Sequence, residues 1–266
     1  MEPQALAQEL FTAYSTGRTV ATPPSARDSS FDLGAAYAVE SELVRLRKAR
    51  GRDAVGRKVG FANKALWRML KLDTLVWAHM YDDTVQYADG GHASLTLPRW
   101  YAPKIEPEIV FKLSDAVRPP DVLAAVEWLA LGFEIIDCPF PDWKFQPVDF
   151  VAAFGFHAAL VVGEPRRVAT EAIPTLVDQL SRFTVRLFKG DQLVEEGSGR
   201  NVLRSPALCL GELAAAIARR SGMDPLTAGE IVSTGTLTES KPIARGETWT
   251  ARVDGIDLSD VTLQLA

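Results

Sequence analysis

The run Lys104-Ile105-Glu106-Pro107-Glu108-Ile109-Val110-Phe111 sets two carboxylates two residues apart inside an apolar stretch. Such a stretch is strand material, and alternate side chains of a strand point to the same face. Glu106 and Glu108 therefore project together, so the fold must neutralise them, pair them or hold a cation between them. Pro107 has no N–H for a ladder, which favours an edge, a strand start or a bulge. A third carboxylate, Glu134, interrupts the apolar run Leu131-Gly132-Phe133-Glu134-Ile135-Ile136-Asp137. Three convergent carboxylates with no cysteine or histidine cluster describe a hard oxygen-donor site, better suited to magnesium or manganese than to zinc. Taken singly, each glutamate can equally pair with Lys or Arg or face solvent, as strand-borne acids commonly do.

Size and composition set the frame for that site. With 266 residues, 47% of them hydrophobic and 24% charged, the chain suits one sizeable globular domain with an appended subdomain. The expected division is a mainly helical subdomain over residues 1–70 and a β-rich catalytic core over 71–266. A net charge of −5 and the lack of a basic stripe exclude a nucleic-acid partner. Cys138 and Cys209 are too few for a disulfide framework and fit a reducing cytoplasm. Met1-Glu2-Pro3-Gln4 lacks the features of a signal peptide, and no stretch reads as a membrane span, so the expected location is cytoplasmic with no membrane partner.

Along the chain, Leu6, Leu10, Phe11 and Tyr14 fall at helical spacing, and so do Leu33, Tyr37, Val39, Leu43 and Leu46. From 54 to 61 the period becomes that of a strand, with Lys58 between Gly56 and Gly60, whose small size lets a ligand approach. His79 sits in an apolar run as a hydrogen-bonded structural residue or a base, and Asp82-Asp83 reads as a turn or an acid site. Short strands follow at 84–87, 92–97 and 105–113, then a short helix from Pro119-Pro120-Asp121 through Trp128. The segment 138–144 is too rich in proline for a strand and is expected to fold over the site, where Lys144 either reaches a substrate carboxylate or stays in solvent. His157 opens another apolar run, either as a core residue or as part of the site. Gly197-Ser198-Gly199-Arg200-Asn201 lacks both the Walker Lys-Ser/Thr and the Rossmann glycine pattern, which excludes nucleotide binding. A helix over 206–221, a strand at 231–233 and the polar loop 234–240 come next; in that loop Gly235 and Thr236 offer donors to an anion.

Four segments in this order carry a resemblance: Gly56-Arg57-Lys58-Val59-Gly60, the Glu106-Pro107-Glu108 strand, Phe133-Glu134-Ile135-Ile136-Asp137 with Asp142-Trp143-Lys144-Phe145, and Gly229 to Thr236. Over most of its length the chain resembles the 2-keto-4-pentenoate hydratase and 4-oxalocrotonate decarboxylase family of the fumarylacetoacetate hydrolase superfamily. The resemblance implies an α+β fold with a mixed β-sheet roll or barrel core. It implies that Glu106, Glu108 and Glu134 hold one divalent cation, magnesium or manganese, that Lys58 sits beside a bound 2-oxo acid, and that Asp82 or Asp83 lies near the reacting carbons. Where members of the family place small polar residues, this chain has Val151-Ala152-Ala153-Phe154-Gly155-Phe156-His157, so His157 becomes a further acid-base candidate. Phe154, Phe156 and Trp67 suggest a less polar pocket.

The activity this implies is a metal-dependent hydratase, a lyase adding water to a 2-hydroxy-2,4-dienoate. Decarboxylation of a 4-oxalocrotonate-like acid is the nearest alternative, followed by hydrolysis of a carbon–carbon bond in acylpyruvates. A non-enzymatic alternative is an inert subunit assembling with an active paralogue. The expected partners are a small 2-oxo acid and other subunits, as a homo-oligomer or with such a paralogue.

Overall fold

The computed structural model describes residues 1–98 and 100–266. The chain begins with α1 (Pro3–Thr16), α2 (Pro24–Arg27) and α3 (Leu33–Lys48). α1 carries proline in its first turn and ends at Gly17, whose φ of 62° a glycine adopts without strain. Asp32 caps α3 by accepting the Ala35 N–H, and the last turn holds Arg45, Arg47 and Lys48, as the helix dipole favours. The apolar faces of α1 and α3 meet through buried Leu6, Leu10, Phe11, Ala36, Tyr37 and Leu43.

The period changes at residue 54, and strands dominate from there. The remaining elements are β1 (Ala54–Gly60), α4 (Lys64–Leu70), β2 (Val76–Tyr81), β3 (Val85–Tyr87), β4 (His92–Leu95), β5 (Lys104–Leu113), β6 (Val126–Ile136), α5 (Pro147–Ala152), β7 (His157–Val162), β8 (Arg166–Arg167), α6 (Ile173–Arg182), β9 (Thr184–Lys189), β10 (Gln192–Ser198), α7 (Pro206–Ala218), β11 (Ile231–Thr236), β12 (Lys241–Pro242), β13 (Thr248–Asp254) and β14 (Val261–Leu265). Among the described residues these strands form two sheets. The larger runs β2-β1-β11-β5-β6-β7-β3, with β12 beside β5 and β8 beside β6; the smaller runs β10-β9-β13-β14-β4. Both are mixed: β1 is parallel to β11, β3 to β7 and β4 to β14, and the other pairs are antiparallel. The fold class is the expected α+β.

Two expectations need correction. The helix read from Pro119 to Trp128 is a single 3-10 turn, Val122–Ala125, and β6 starts at Val126. Val126 and Trp128 pair with Leu113 and Lys112 of β5 across a shift in register, and that ladder outweighs the local helix signal. β1 and α4 fall within 1–70, yet β1 is hydrogen-bonded between β2 and β11 inside the larger sheet; the helical segment hands over to the sheet at residue 54.

α5 is fastened to the N-terminal segment. Asp149, fully buried, accepts hydrogen bonds from the Ser25 N–H (2.7 Å), the Ser25 hydroxyl (2.5 Å) and the Gln146 N–H (2.8 Å). One carboxylate thereby ties α2 to the first turn of α5.

Candidate active site

The central strands of the larger sheet position the acids. Glu106 and Glu134 face each other across the β5–β6 ladder, and Glu108 stands two residues along on the same face of β5. One carboxylate oxygen from each lies within 4.8 Å of the others. Glu108 and Glu134 are fully buried, whereas Glu106 keeps an edge on a cavity.

Each buried acid has its own support. β11 runs out of step with β5 between Ser233 and Thr236, and this bulge aims the Ser233 hydroxyl (2.5 Å) and the Gly235 N–H (2.8 Å) at Oε2 of Glu108. Gly235 has φ +100°, and an added Cβ would come within 3.0 Å of Ala62, so the bulge needs glycine. Oε1 of Glu134 lies 2.8 Å from His157 Nδ1, and His157 Nε2 lies 2.9 Å from the Thr84 hydroxyl. Because Nδ1 faces a carboxylate it carries the ring proton, which leaves Nε2 to accept from Thr84.

Lys58, 1% exposed, brings the ammonium. Its Nζ lies 2.8 Å from Oε2 of Glu134 and donates to the Gly155 carbonyl at 3.0 Å. Space for the stem comes from Gly155, where a Cβ would stand 2.8 Å from Lys58 Cδ, and from Ala78, its partner on β2. Gly60 makes room for Phe150, whose ring would lie 2.4 Å from an added Cβ. The glycines around Lys58 are thus packing requirements of the site.

One ammonium does not balance three carboxylates. Burial pushes Glu106 up to about 7, with Lys58 opposing and Glu134 adding to the rise. Burial also raises Glu108 well above the ordinary range, with the charges of Glu134 and Glu106 in support. At Glu134 burial acts upward as well, but the Lys58 charge and the His157 hydrogen bond outweigh it and hold the carboxyl low. Burial disfavours the Lys58 ammonium, yet the three glutamates together raise its pKa. Burial lowers His157, which keeps the ring neutral.

Oε1 of Glu108 is buried with no hydrogen-bond partner, and Oε2 of Glu134 has the Lys58 ion pair without hydrogen-bond alignment. Orphaned carboxylate oxygens in a site of excess negative charge are what a hard divalent cation satisfies. With such an ion the three carboxylates, the ammonium and the metal sum to zero charge. The residues fit the ion.

The acids open onto a cavity of about 600 Å³ that reaches from Lys58 and Glu106 to Lys104, Asn63, Asn201 and Thr236. Five aromatic rings form one wall. Phe61 meets Phe150 at 5.3 Å between centroids, Phe150 meets Phe156 at 5.1 Å, Phe156 meets Phe145 at 4.6 Å and Trp143 at 5.9 Å. Phe61, Trp143 and Phe156 sit at φ of 58°, 55° and 56°, a left-handed conformation that costs bulky residues about 1 kcal/mol or more each. Trp67 Nε1 holds Phe61 there by donating to its carbonyl at 2.7 Å.

Of the residues singled out in the sequence, Glu106, Glu108, Glu134, Lys58 and His157 come together. Gly235 and Thr236 line the cavity, but the Gly235 N–H is engaged by Glu108 and the Thr236 hydroxyl donates to the Thr238 carbonyl at 2.9 Å. Asp82 and Asp83 form the turn after β2 and face Arg52, with Asp83 also on Arg47; they line no part of this cavity. Lys144 points outward, 81% exposed and 3.4 Å from Asp142, because Asp142 and Trp143 both take positive φ and turn the loop so that Trp143 faces inward. Phe156 lines the cavity, whereas Phe154 packs on Tyr14 and Tyr81 and Trp67 lies behind Phe61. His79 is bonded to Glu40 at 2.6 Å, which is its structural reading. Sequence reasoning passed over Thr84, Ser233, Asn63, Asn201 and Lys104. Only Lys104 had a signal, its place two residues before Glu106 on the same strand face.

No protein-family model matches the chain. It is 30% identical over 254 residues to the 2-hydroxyhexa-2,4-dienoate hydratase of Comamonas testosteroni, covering 94% of this chain and 92% of that one. It is 30% identical over 250 residues to a 4-oxalocrotonate decarboxylase of a Pseudomonas species, covering 92% of each. The structure of 4-oxalocrotonate decarboxylase from Pseudomonas putida G7, complexed with magnesium and adipate, matches with a TM-score of 0.88 and 26% identity over 100% of this chain and 97% of that one. A fumarylpyruvate hydrolase from Pseudomonas aeruginosa shares the fold, with a TM-score of 0.60 and 16% identity over 79% of this chain and 88% of that one.

Proposed function

The chain belongs to the family of 2-keto-4-pentenoate hydratases and 4-oxalocrotonate decarboxylases, and from that premise we propose that the cavity carries out hydration. The protein is a lyase that adds water to a 2-hydroxy-2,4-dienoate to give a 4-hydroxy-2-oxo acid, with magnesium or manganese as cofactor. The observation that carries this reading is the trio Glu106, Glu108 and Glu134, the last two fully buried, with an orphaned carboxylate oxygen and a buried ammonium lining a cavity.

Glu106, Glu108 and Glu134 would hold the ion, which when bound supplies a Lewis acid for the keto oxygen of a 2-oxo acid. Lys58 stays protonated, its ammonium bonded to the Gly155 carbonyl and ion-paired with Glu134 where it lines the cavity. It places a fixed positive charge where negative charge grows on the substrate's 2-oxygen. His157, neutral and pinned by Thr84, orients Glu134 and acts as a positioning residue. In the overall change the 2-hydroxyl loses its proton, C5 gains one, and a water molecule contributes its hydroxyl to C4 and a proton to C3. The aromatic wall limits bulk water around these carbons. Decarboxylation of a 4-oxalocrotonate-like acid builds charge on the same oxygen, so the same residues serve it.

We infer, further, that the protein acts in the cytoplasm as a homo-oligomer. Supporting this, the apolar side chains Met69 and Leu208 are 71% and 58% exposed, Leu208 lining a second hollow that shares Asn63 and Asn201 with the cavity mouth.

The deciding experiment follows dienoate absorbance with 2-hydroxyhexa-2,4-dienoate and carbon dioxide release with 4-oxalocrotonate, each with magnesium. Loss of absorbance without carbon dioxide is expected, and Glu108→Gln should abolish turnover and the thermal shift that magnesium produces. An unchanged magnesium response in that variant would remove the metal site.

A further inference from the structure

The cavity is too large and too apolar for a five-carbon acid alone. Such an acid has eight heavy atoms, and even at the roughly 30 Å³ that a water occupies in the liquid it needs about 240 Å³, against about 600 Å³ present. One side of that space is the aromatic wall. That wall starts where Lys58 Nζ stands 5.0 Å from the Phe150 ring centre and ends where Lys104 Nζ stands 3.9 Å from that of Trp143. Successive rings meet edge to face, which fixes them as a surface rather than a loose cluster. Three of its residues are held in a backbone conformation that their own side chains disfavour, so other packing imposes their position.

We propose that the substrate carries a hydrocarbon substituent beyond C5, a ring or an extended chain, that lies along this wall while the 2-oxo acid end occupies the carboxylate site. The proposal rests on the hydratase reading above and names the class of dienoate it takes. An acidic tail fits less well. It would lie against Phe145 and Phe156, and the Lys104 ammonium is already stacked on Trp143 with Glu106 on its own strand face. A neutral apolar tail meets no such cost and gains from burial in proportion to its area.

Binding of three saturated 2-oxo acids that cannot react, measured by titration calorimetry with magnesium, tests this. We expect 6-phenyl-2-oxohexanoate to bind about 30-fold more tightly than 2-oxopentanoate, and 2-oxoadipate to show no such gain. Phe145→Ala and Trp143→Ala, at the half-buried end of the wall, should each shrink the phenyl-to-pentanoate ratio several-fold. Equal affinities for the three acids, or a ratio untouched in both variants, would overturn the proposal while leaving the hydratase reading in place. Tightest binding of 2-oxoadipate, lost in Lys104→Met, would overturn it in favour of a dicarboxylate. If none of the three binds with magnesium, the hydratase reading fails and this inference with it.

Discussion

β1 presents Arg57 to one face of the larger sheet and Lys58 to the other, and the two faces are built differently. On the first, Arg57 forms a closed pair with Glu230, and neighbouring His79 closes on Glu40. Each carboxylate there has one basic side chain beside it. On the second, Lys58 meets three carboxylates that it cannot balance. Both faces are costly to bury and each leaves a carboxylate oxygen without a hydrogen bond, Oε2 of Glu40 on the first and Oε1 of Glu108 on the second, but only on the second do like charges crowd together in excess of their partner. A matched charge cluster is explained by the fold; an unmatched one calls for a component from outside it.

That contrast can be broken most severely at Lys58. Lys58→Met should lower kcat about 10²- to 10³-fold and, by leaving the buried Glu134 without its cation, also cost about 3 kcal/mol of stability. Arg57→Met, one residue away, should cost a similar amount of stability by stranding Glu230, but with kcat largely kept. Steady-state rates and urea melts of the two proteins decide it, and similar profiles would erase the distinction between the faces.

Next is pH. Glu106 and Glu108 hold protons in the metal-free fold above their ordinary value of 4.5, Glu106 up to about 7. The folded chain therefore binds more protons than the unfolded one over that range, and stability from these groups falls as pH rises from about 4.5 through 7. Magnesium must displace the same protons, so the melting-temperature gain it produces should be larger at pH 8 than at pH 5.5. A gain that does not change with pH would contradict the charge imbalance. The smallest effect belongs to Lys144→Ala, which should leave kcat/KM unchanged and stability within about 0.5 kcal/mol, since its side chain stands in solvent.

Lys58 was legible only through the family resemblance, but the acids were legible in the chain itself because strand alternation is a local rule, and Glu106, Glu108 and Glu134 break apolar runs where any reader can see them. Asp82 and Asp83 were not, because a turn aspartate has the same local appearance whether it faces a substrate or Arg47, 36 residues before Asp83. The direction of Lys144 depended on two positive φ angles at Asp142 and Trp143, which proline-rich sequence does not announce. The aromatic wall is drawn from 61, 143, 145, 150 and 156; no periodicity links these positions, and only the packing of α4, the 138–146 loop and α5 assembles them. The fold class came with the family resemblance, whereas the start of β6 was not legible, since a ladder partner decided it.

The Asp149 clamp carries a consequence for how the molecule divides its labour. Ser25 grips the residue next to Phe150, so the leading helical segment braces the hydrocarbon side of the cavity without touching the carboxylates. Sequence drift in that segment is therefore a route by which such a chain can retune what it accepts while its reaction chemistry stays fixed.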